Sequence, residues 1–262
     1  MGYKIAFFDI DGTLVNEEKQ IPLDTIEAIK ELKARGVEAV ISTGRAPYFF
    51  KPIAEQLGIE SFISLNGAYV VYQGKTVYKR IIPKDSMQLL VEHANLQRHS
   101  LVFEGEDYYY ANAENHPFII ESVNSLRVEQ PHFRPDYWQH EDVLQAFLHC
   151  TQEDEHLYDG HFPDLRFVRW HPQAVDVLPA DGSKAQGIRY LLDTLGIAKE
   201  EAIAFGDGLN DKEMLEFVGL GIAMGNSHPE LIAHADYVTT SVDENGIRNG
   251  LIYAGMLEAQ PV

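Results

Sequence analysis

Ile5-Ala6-Phe7-Phe8-Asp9-Ile10-Asp11-Gly12-Thr13 is the stretch that decides the reading of this chain. Four apolar residues run directly into two carboxylates placed two positions apart. A short apolar run bounded by turn residues reads as a buried strand. Strand side chains at i and i+2 share a face, so Asp9 and Asp11 leave the strand's end on one side. Gly12 permits a sharp turn and Thr13 can brace it. Two acids at the end of an apolar strand need a cation or a shared proton. A metal ion with phosphate chemistry meets that need. On these residues alone a solvated Asp-x-Asp-Gly turn stays open. A calcium loop fits poorly, because Gly12 comes too early and Thr13 stands at the third ligand position.

Outward from this strand the chain alternates. Helical spacing over 23–35 places Ile26, Ile29 and Leu32 on one face and stops at Gly36. A buried strand is predicted over 37–42, a helix over 48–57, a strand over 61–65 and a hairpin through Gln73-Gly74-Lys75. The alternation returns after Ser183, with helices over 184–195, 211–218 and 246–255 and strands over 202–205, 221–224 and 237–239. Strand–helix repetition with apolar strands predicts a doubly wound parallel sheet, an α/β core whose ligands sit at the carboxyl ends of strands.

Residues 83–183 differ in composition. Nine of the 11 histidines fall there, with 18 Asp or Glu against 6 Lys or Arg. The segment reads as a mixed α+β insert. Helices are predicted over 118–123 and 143–149, and strands over 101–103, 108–110, 165–170 and 174–178. Pro83 and Pro179-Ala180-Asp181-Gly182 are natural hinge points.

The 262 residues carry a formal charge of −19, with 45% apolar residues. Such a surface repels nucleic acid and anionic membranes. An anionic substrate therefore needs local positive charge at its site. The single cysteine, Cys150, excludes an internal disulfide and suits a reducing cytosol. No cleavable signal pattern, myristoylation pattern or membrane-spanning run is visible. The expectation is a soluble cytoplasmic protein with no membrane, nucleic-acid or obligate protein partner.

Three more motifs sit where the predicted sheet would gather them. Ser42-Thr43-Gly44-Arg45 follows a strand and offers a hydroxyl and a free backbone N–H to a phosphate oxygen; an ordinary helix cap is the alternative. Lys184 opens a helix, where ammonium and helix terminus both favour an anion; a surface lysine is the alternative. Gly206-Asp207-Gly208-Leu209-Asn210-Asp211 follows a strand and reads as a hard-cation site, or as a glycine-rich turn with a helix cap.

In this combination and order, the four motifs resemble those of the haloacid dehalogenase superfamily of phosphatases, and more narrowly its Cof-like branch. Asn66-Gly67-Ala68 and Met224-Gly225-Asn226 match segments typical of that branch. The resemblance covers the whole chain. It implies a Rossmann-like doubly wound core over 1–82 and 184–262. The α+β cap over 83–183 sits in the type-two, subclass-B position. It implies that Asp9 is the nucleophile that forms an aspartyl phosphate. Asp11 would be the general acid and then the base, with a pKa raised toward neutrality by its neighbour Asp9. Mg²⁺ would be held by the Asp9 carboxylate, the Asp11 backbone carbonyl and Asp207. Asp211 would be a further ligand or an acid behind them. Thr43, Gly44, Lys184 and Asn210 would hold the phosphoryl group. Arg45, Asn66 and Asn226 are further candidates, with a turn or cap role as the alternative for each. The implied activity is Mg²⁺-dependent hydrolysis of a small phosphorylated metabolite, such as a sugar phosphate. A phosphosugar mutase and a non-catalytic phosphometabolite sensor are the competing readings.

Overall fold

Ile5–Phe8 is a strand buried at every position, with apolar side chains on both faces. Only a central parallel strand covered on both sides demands that pattern. In the computed structural model, which describes residues 2–259, it pairs in parallel with Glu38–Ser42 on one side and with Ala202–Gly206 on the other. The eight-stranded sheet runs Tyr237–Val238, Leu220–Ala223, Ala202–Gly206, Ile5–Phe8, Glu38–Ser42, Phe62–Ser64, Tyr69–Tyr72, Lys75–Lys79. Its first six strands are parallel, and Tyr69–Tyr72 pairs antiparallel with Phe62–Ser64. The order reverses at Ile5–Phe8, whose two neighbours come from opposite ends of the chain. That crevice is the expected ligand position of a doubly wound sheet.

Alternation along the central strand sorts the core into two layers. Ala6 and Phe8 pack with Ile203, Phe205 and Ile41 beneath the helices Leu23–Ala34 and Gly246–Tyr253. The rings of Phe8 and Phe205 stack 5.2 Å apart. Ile5 and Phe7 pack on the other face with Val40, Ile188 and Leu191 of the helix Lys184–Leu195 and Met214 of Lys212–Phe217. The helix Leu23–Ala34 buries Thr25, Ala28, Ile29 and Leu32, the spacing of a single helix face. Lys184 is the first residue of its helix, because the Ser183 hydroxyl caps the start by accepting from the Gln186 N–H.

The chain divides into two units. One comprises the residues up to Arg45, Phe50–Tyr78 and the residues from Ser183; the other comprises Ala46–Phe49 and Lys79–Gly182. The second is α+β. Its six strands run Leu165–His171, Ala174–Pro179, Gln145–His149, Ser100–Glu104, Tyr109–Ala111, His132–Phe133, with antiparallel pairing except between the last two. The helix Lys84–Gln97 lays Met87, Leu90 and Ala94 on Leu101, Phe103, Ala146, Leu148, Val175 and Val177.

The helix predicted over 143–149 is instead the strand Gln145–His149, buried throughout and flanked on both sides. A seven-residue run with five apolar residues fits a buried helix or a central strand equally well by period. Here the register decides: Ala146 and Leu148 enter the core, and Gln145 lies opposite Glu104 on the other face. Cys150 follows this strand and is fully buried, and burial pushes its thiol pKa up, as befits inert packing.

Candidate active site

Three of the four motifs arrive at the carboxyl edge of the parallel sheet on strands of their own, and Lys184 comes from the first turn of a helix. Asp9 directly follows Phe8, and its backbone N–H donates to the Phe205 carbonyl at 3.0 Å, so the carboxylate is delivered by the last bond of the ladder. Thr43 follows Ser42 and is fixed the same way, its N–H bonding to the Ile63 carbonyl at 2.8 Å. Asp207 follows Gly206.

The Lys184 ammonium is almost wholly buried and donates to Asp9 Oδ1 and to Asp211 Oδ1, each at 2.6 Å. Burial works against its charge, but Asp211 and Asp9 more than offset this, raise its pKa and keep it protonated. The other oxygen of Asp211 accepts from the N–H groups of Asp207 and Gly208, both at 3.0 Å. Asp211 is fully buried, and both its oxygens are engaged by the protein. Its visible work is to lock the 206–211 loop and to orient Lys184. Asp207 in turn accepts from the Thr13 hydroxyl at 3.2 Å.

Asp9, Asp207 and Asp211 offer oxygens that lie within 4.8 Å of one another. Among the described residues, Lys184 is the one cation placed between them. Burial, with the charges of Asp211 and Asp11, pushes the Asp9 pKa up to about 7, although Lys184 pulls it down. Burial and the charges of Asp9 and Asp211 push Asp207 up to about 8. Three closely set acids, two buried and one half-buried, with one ammonium lack a positive charge, and a hard divalent cation with oxygen ligands fits that deficit.

Gly12 holds its backbone at φ +72°, and a Cβ there would run into the Asp207 carboxylate. Asn226 straps this turn down. Its amide donates to the Gly12 carbonyl at 2.8 Å and its oxygen accepts from the Val242 N–H at 2.9 Å.

Asp11 departs from expectation. Its carboxylate is bound by Arg45 through Nε at 2.7 Å and Nη2 at 2.6 Å, and by Lys19 at 2.5 Å. Burial works to raise its pKa, but Arg45 and then Lys19 outweigh it, and the Asp11 pKa is lowered. The expectation of a raised value considered only the neighbouring Asp9 and left out the two cations that face the carboxylate. Lys19 went unnoticed in the sequence. It is the only Lys or Arg between Ile5 and Ile29. A left-handed backbone at φ +61° ends the turn that brings it back over eight residues.

Around the phosphate loop, the Thr43 hydroxyl accepts from the Arg45 N–H at 3.1 Å. Asn210 donates to Asn66 Oδ1 at 3.3 Å, and Gly44 lies against the same Asn66 amide. The sheet therefore gathers Asp9, Asp11, Thr43, Gly44, Lys184, Asp207, Asn210 and Asp211 along one edge, with Arg45 and Asn66 among them.

Comparison with known proteins agrees with this geometry. A family model described as haloacid dehalogenase-like hydrolase matches residues 6–251. A Bacillus subtilis (strain 168) protein named "Putative phosphatase YkrA" is 41% identical over 98% of this chain and 100% of its own length. The crystal structure of a hypothetical protein from Geobacillus kaustophilus HTA426 superposes with a TM-score of 0.92 at 49% identity, covering 98% of this chain and 100% of the other. The HAD subclass IIB sugar phosphatase BT4131 superposes with a TM-score of 0.87 at 31% identity, covering 97% and 100%. With a buried acid–lysine cluster at the switch point of its sheet, this chain belongs to the haloacid dehalogenase-like hydrolases and acts on phosphate esters.

Proposed function

We propose that this phosphatase hydrolyses a small phosphorylated metabolite of the sugar-phosphate class, with Mg²⁺, through an aspartyl phosphate on Asp9. The observation that carries the reading is the buried Lys184 ammonium shared between Asp9 and Asp211 inside an acidic cluster short of positive charge. Similarity to a sugar phosphatase over nearly the whole chain supports the substrate class.

In this reading the Thr43 hydroxyl, the Gly44 N–H, Lys184 and Asn210 hold the phosphoryl oxygens. Asp9 attacks phosphorus, the bond to the leaving oxygen breaks, and Asp11 gives that oxygen its proton. Water then attacks the phosphorus of the acyl phosphate, Asp11 takes the water's proton, and Asp9 is released with inorganic phosphate. A carboxylate is a weak nucleophile, so positioning and charge neutralisation supply most of the rate. Mg²⁺ held by Asp9, Asp207 and the Asp11 backbone carbonyl, with Asp211 behind them, would neutralise the cluster and the phosphoryl oxygens. Asp11 meets the second step in the ionised state its two cations favour. For the first step it must leave Arg45 and Lys19 and take up a proton. The buried, isolated Cys150 suits a cytosolic enzyme, and no helix among the described residues is long and apolar enough to cross a membrane.

Phosphate release across a panel of phosphorylated metabolites, with and without Mg²⁺ and with Asp9→Asn, tests the reading. Turnover lost in both controls is expected. Activity that survives in Asp9→Asn would refute the nucleophile. Turnover only in the presence of a bisphosphate would indicate a mutase, and binding without turnover a sensor.

A further inference from the structure

The turn Leu65-Asn66-Gly67 has an unusual backbone. All three residues lie at positive φ, at +51°, +50° and +96°. Glycine takes this conformation freely and asparagine tolerates it, but for a leucine it is an outlier. Such backbone persists only where the surrounding structure over-determines it, and it collects at functional sites.

The constraints here come from three directions. The Asn66 N–H donates to the Thr43 carbonyl at 3.1 Å and the Leu65 N–H to the Arg45 carbonyl at 3.2 Å, tying the turn to the phosphate loop. Gly67 lies so close to the Ser183 carbonyl that any Cβ would overlap it, which seats the turn on the start of the Lys184 helix. The Asn66 side chain, itself buried, receives the Asn210 amide at 3.3 Å, and a Cβ on Gly44 would come within 3.0 Å of it. Gly44, Lys184 and Asn210 stand on three different segments, and each of those segments meets this one turn.

We propose that Asn66 is a positioning residue of the phosphoryl pocket. It holds the Asn210 amide and the Gly44 backbone at the spacing a tetrahedral phosphoryl group requires, and the left-handed turn is the device that delivers it. The proposal rests on the reading of Gly44, Lys184 and Asn210 as the phosphoryl-binding groups. It adds the residue that sets their mutual geometry, which none of the three can do for itself. Asn66 does this through a side-chain oxygen and a close backbone contact, so a residue that keeps the turn but lacks the amide separates the two roles.

The test uses the full-length protein and inorganic phosphate as the probe, since product phosphate must occupy the same pocket. Asn66→Gly keeps the positive φ and removes the amide. It is expected to raise the inhibition constant for phosphate about tenfold or more, lower kcat and shift the melting temperature little. Asn66→Asp keeps shape and backbone preference but adds a negative charge beside the pocket. It is expected to weaken phosphate further, with a deficit that shrinks at high salt. Combining Asn66→Gly with Asn210→Ala is expected to cost less than the sum of the two single changes, because the two residues share a contact. A purely structural role would lower the melting temperature and leave the phosphate constant unchanged. Wild-type phosphate inhibition and kcat in Asn66→Gly, or in Asn66→Asp if the glycine variant does not fold, would overturn the proposal alone. A wild-type protein that phosphate does not inhibit would overturn the phosphoryl-pocket reading and this proposal with it.

Discussion

Mg²⁺ added to the metal-free protein should stabilise it far more at pH 8 than at pH 6. In the absence of metal, Asp9 and Asp207 have pKa values pushed up to about 7 and about 8, chiefly by burial and by the charges of neighbouring carboxylates, Asp211 and Asp11 for Asp9 and Asp9 and Asp211 for Asp207. Both acids ionise near their ordinary values when the chain unfolds. Between roughly pH 4 and pH 8 the folded state therefore binds more protons than the unfolded state, and metal-free stability falls as pH rises through that window. A divalent cation needs these oxygens deprotonated. At pH 8 it displaces about half a proton from Asp207 and little from Asp9. At pH 6 it must displace nearly two, and the pair titrates together, so affinity should drop by about two to three orders of magnitude over the two pH units. Mg²⁺ at about 100 times its dissociation constant at pH 8 stabilises by about 2.7 kcal/mol. That corresponds to roughly 5–10 °C for a chain of this size. The same concentration at pH 6 should give almost no shift. Thermal unfolding at pH 6, 7 and 8, with and without Mg²⁺, reads this directly, and Asp207→Asn should remove the shift at every pH. A shift of equal size at pH 6 and pH 8 would mean that the carboxylates are already ionised without metal, and the electrostatic account of the cluster would fall.

Three other perturbations probe separate parts of the molecule. Lys184→Met leaves Asp9 and Asp211 without their shared cation; breaking such a buried pair costs about 3–5 kcal/mol, so the melting temperature should drop by about 10 °C or more and recover partly at low pH, and a drop independent of pH would argue against charge as the cause. Lys19→Met removes one of the two cations that lower the Asp11 pKa; the alkaline limb of kcat/KM should move to higher pH, more for alkyl phosphates, whose leaving group needs the proton, than for aryl phosphates, while an unmoved profile for both would exclude Lys19 from the acid–base step. Glu104 is fully buried with Oε1 unpartnered, and burial and Asp176 raise its pKa well above the ordinary value; its ionisation costs stability as pH rises above about 4.5, so Glu104→Gln should gain in melting temperature from pH 5 to pH 8, by an amount equivalent to about 1–3 kcal/mol, and an equal change at both pH values would sink the argument.

What could be read from the sequence was whatever is decided within a few residues. The apolar run before Asp9 requires a buried strand, and two acids at its end call for a cation or for water, a choice that only the four motifs together narrow. The same holds for Gly206-Asp207-Gly208 and for Lys184 after its capping serine. The insert was harder, because Val143-Leu144-Gln145-Ala146-Phe147-Leu148-His149 carries no local signal that separates a helix from a strand buried between two others. The roles of Lys19 and Asn66 were hidden for a different reason. Both sit on positive-φ backbone that carries a side chain to a distant partner; lysine gives no sign of that conformation, and Asn66-Gly67 suggests a turn without naming its partner.

Charge links the legible and the hidden parts. A chain at −19 must gather positive charge wherever it receives a phosphate dianion. The site does gather Lys184, Arg45 and Lys19, but each is already spent on a carboxylate of the protein. Four acids, Asp9, Asp11, Asp207 and Asp211, stand against these three cations, so the ionised site by itself still repels a phosphate. One divalent ion turns that deficit of a single charge into an excess of one. Protons on Asp9 and Asp207 can also offset the deficit, but in the proposed mechanism a protonated Asp9 could not attack. Metal and proton would therefore compete for the same carboxylates, and under that proposal only the metal would leave the site both attractive to a dianion and nucleophilic.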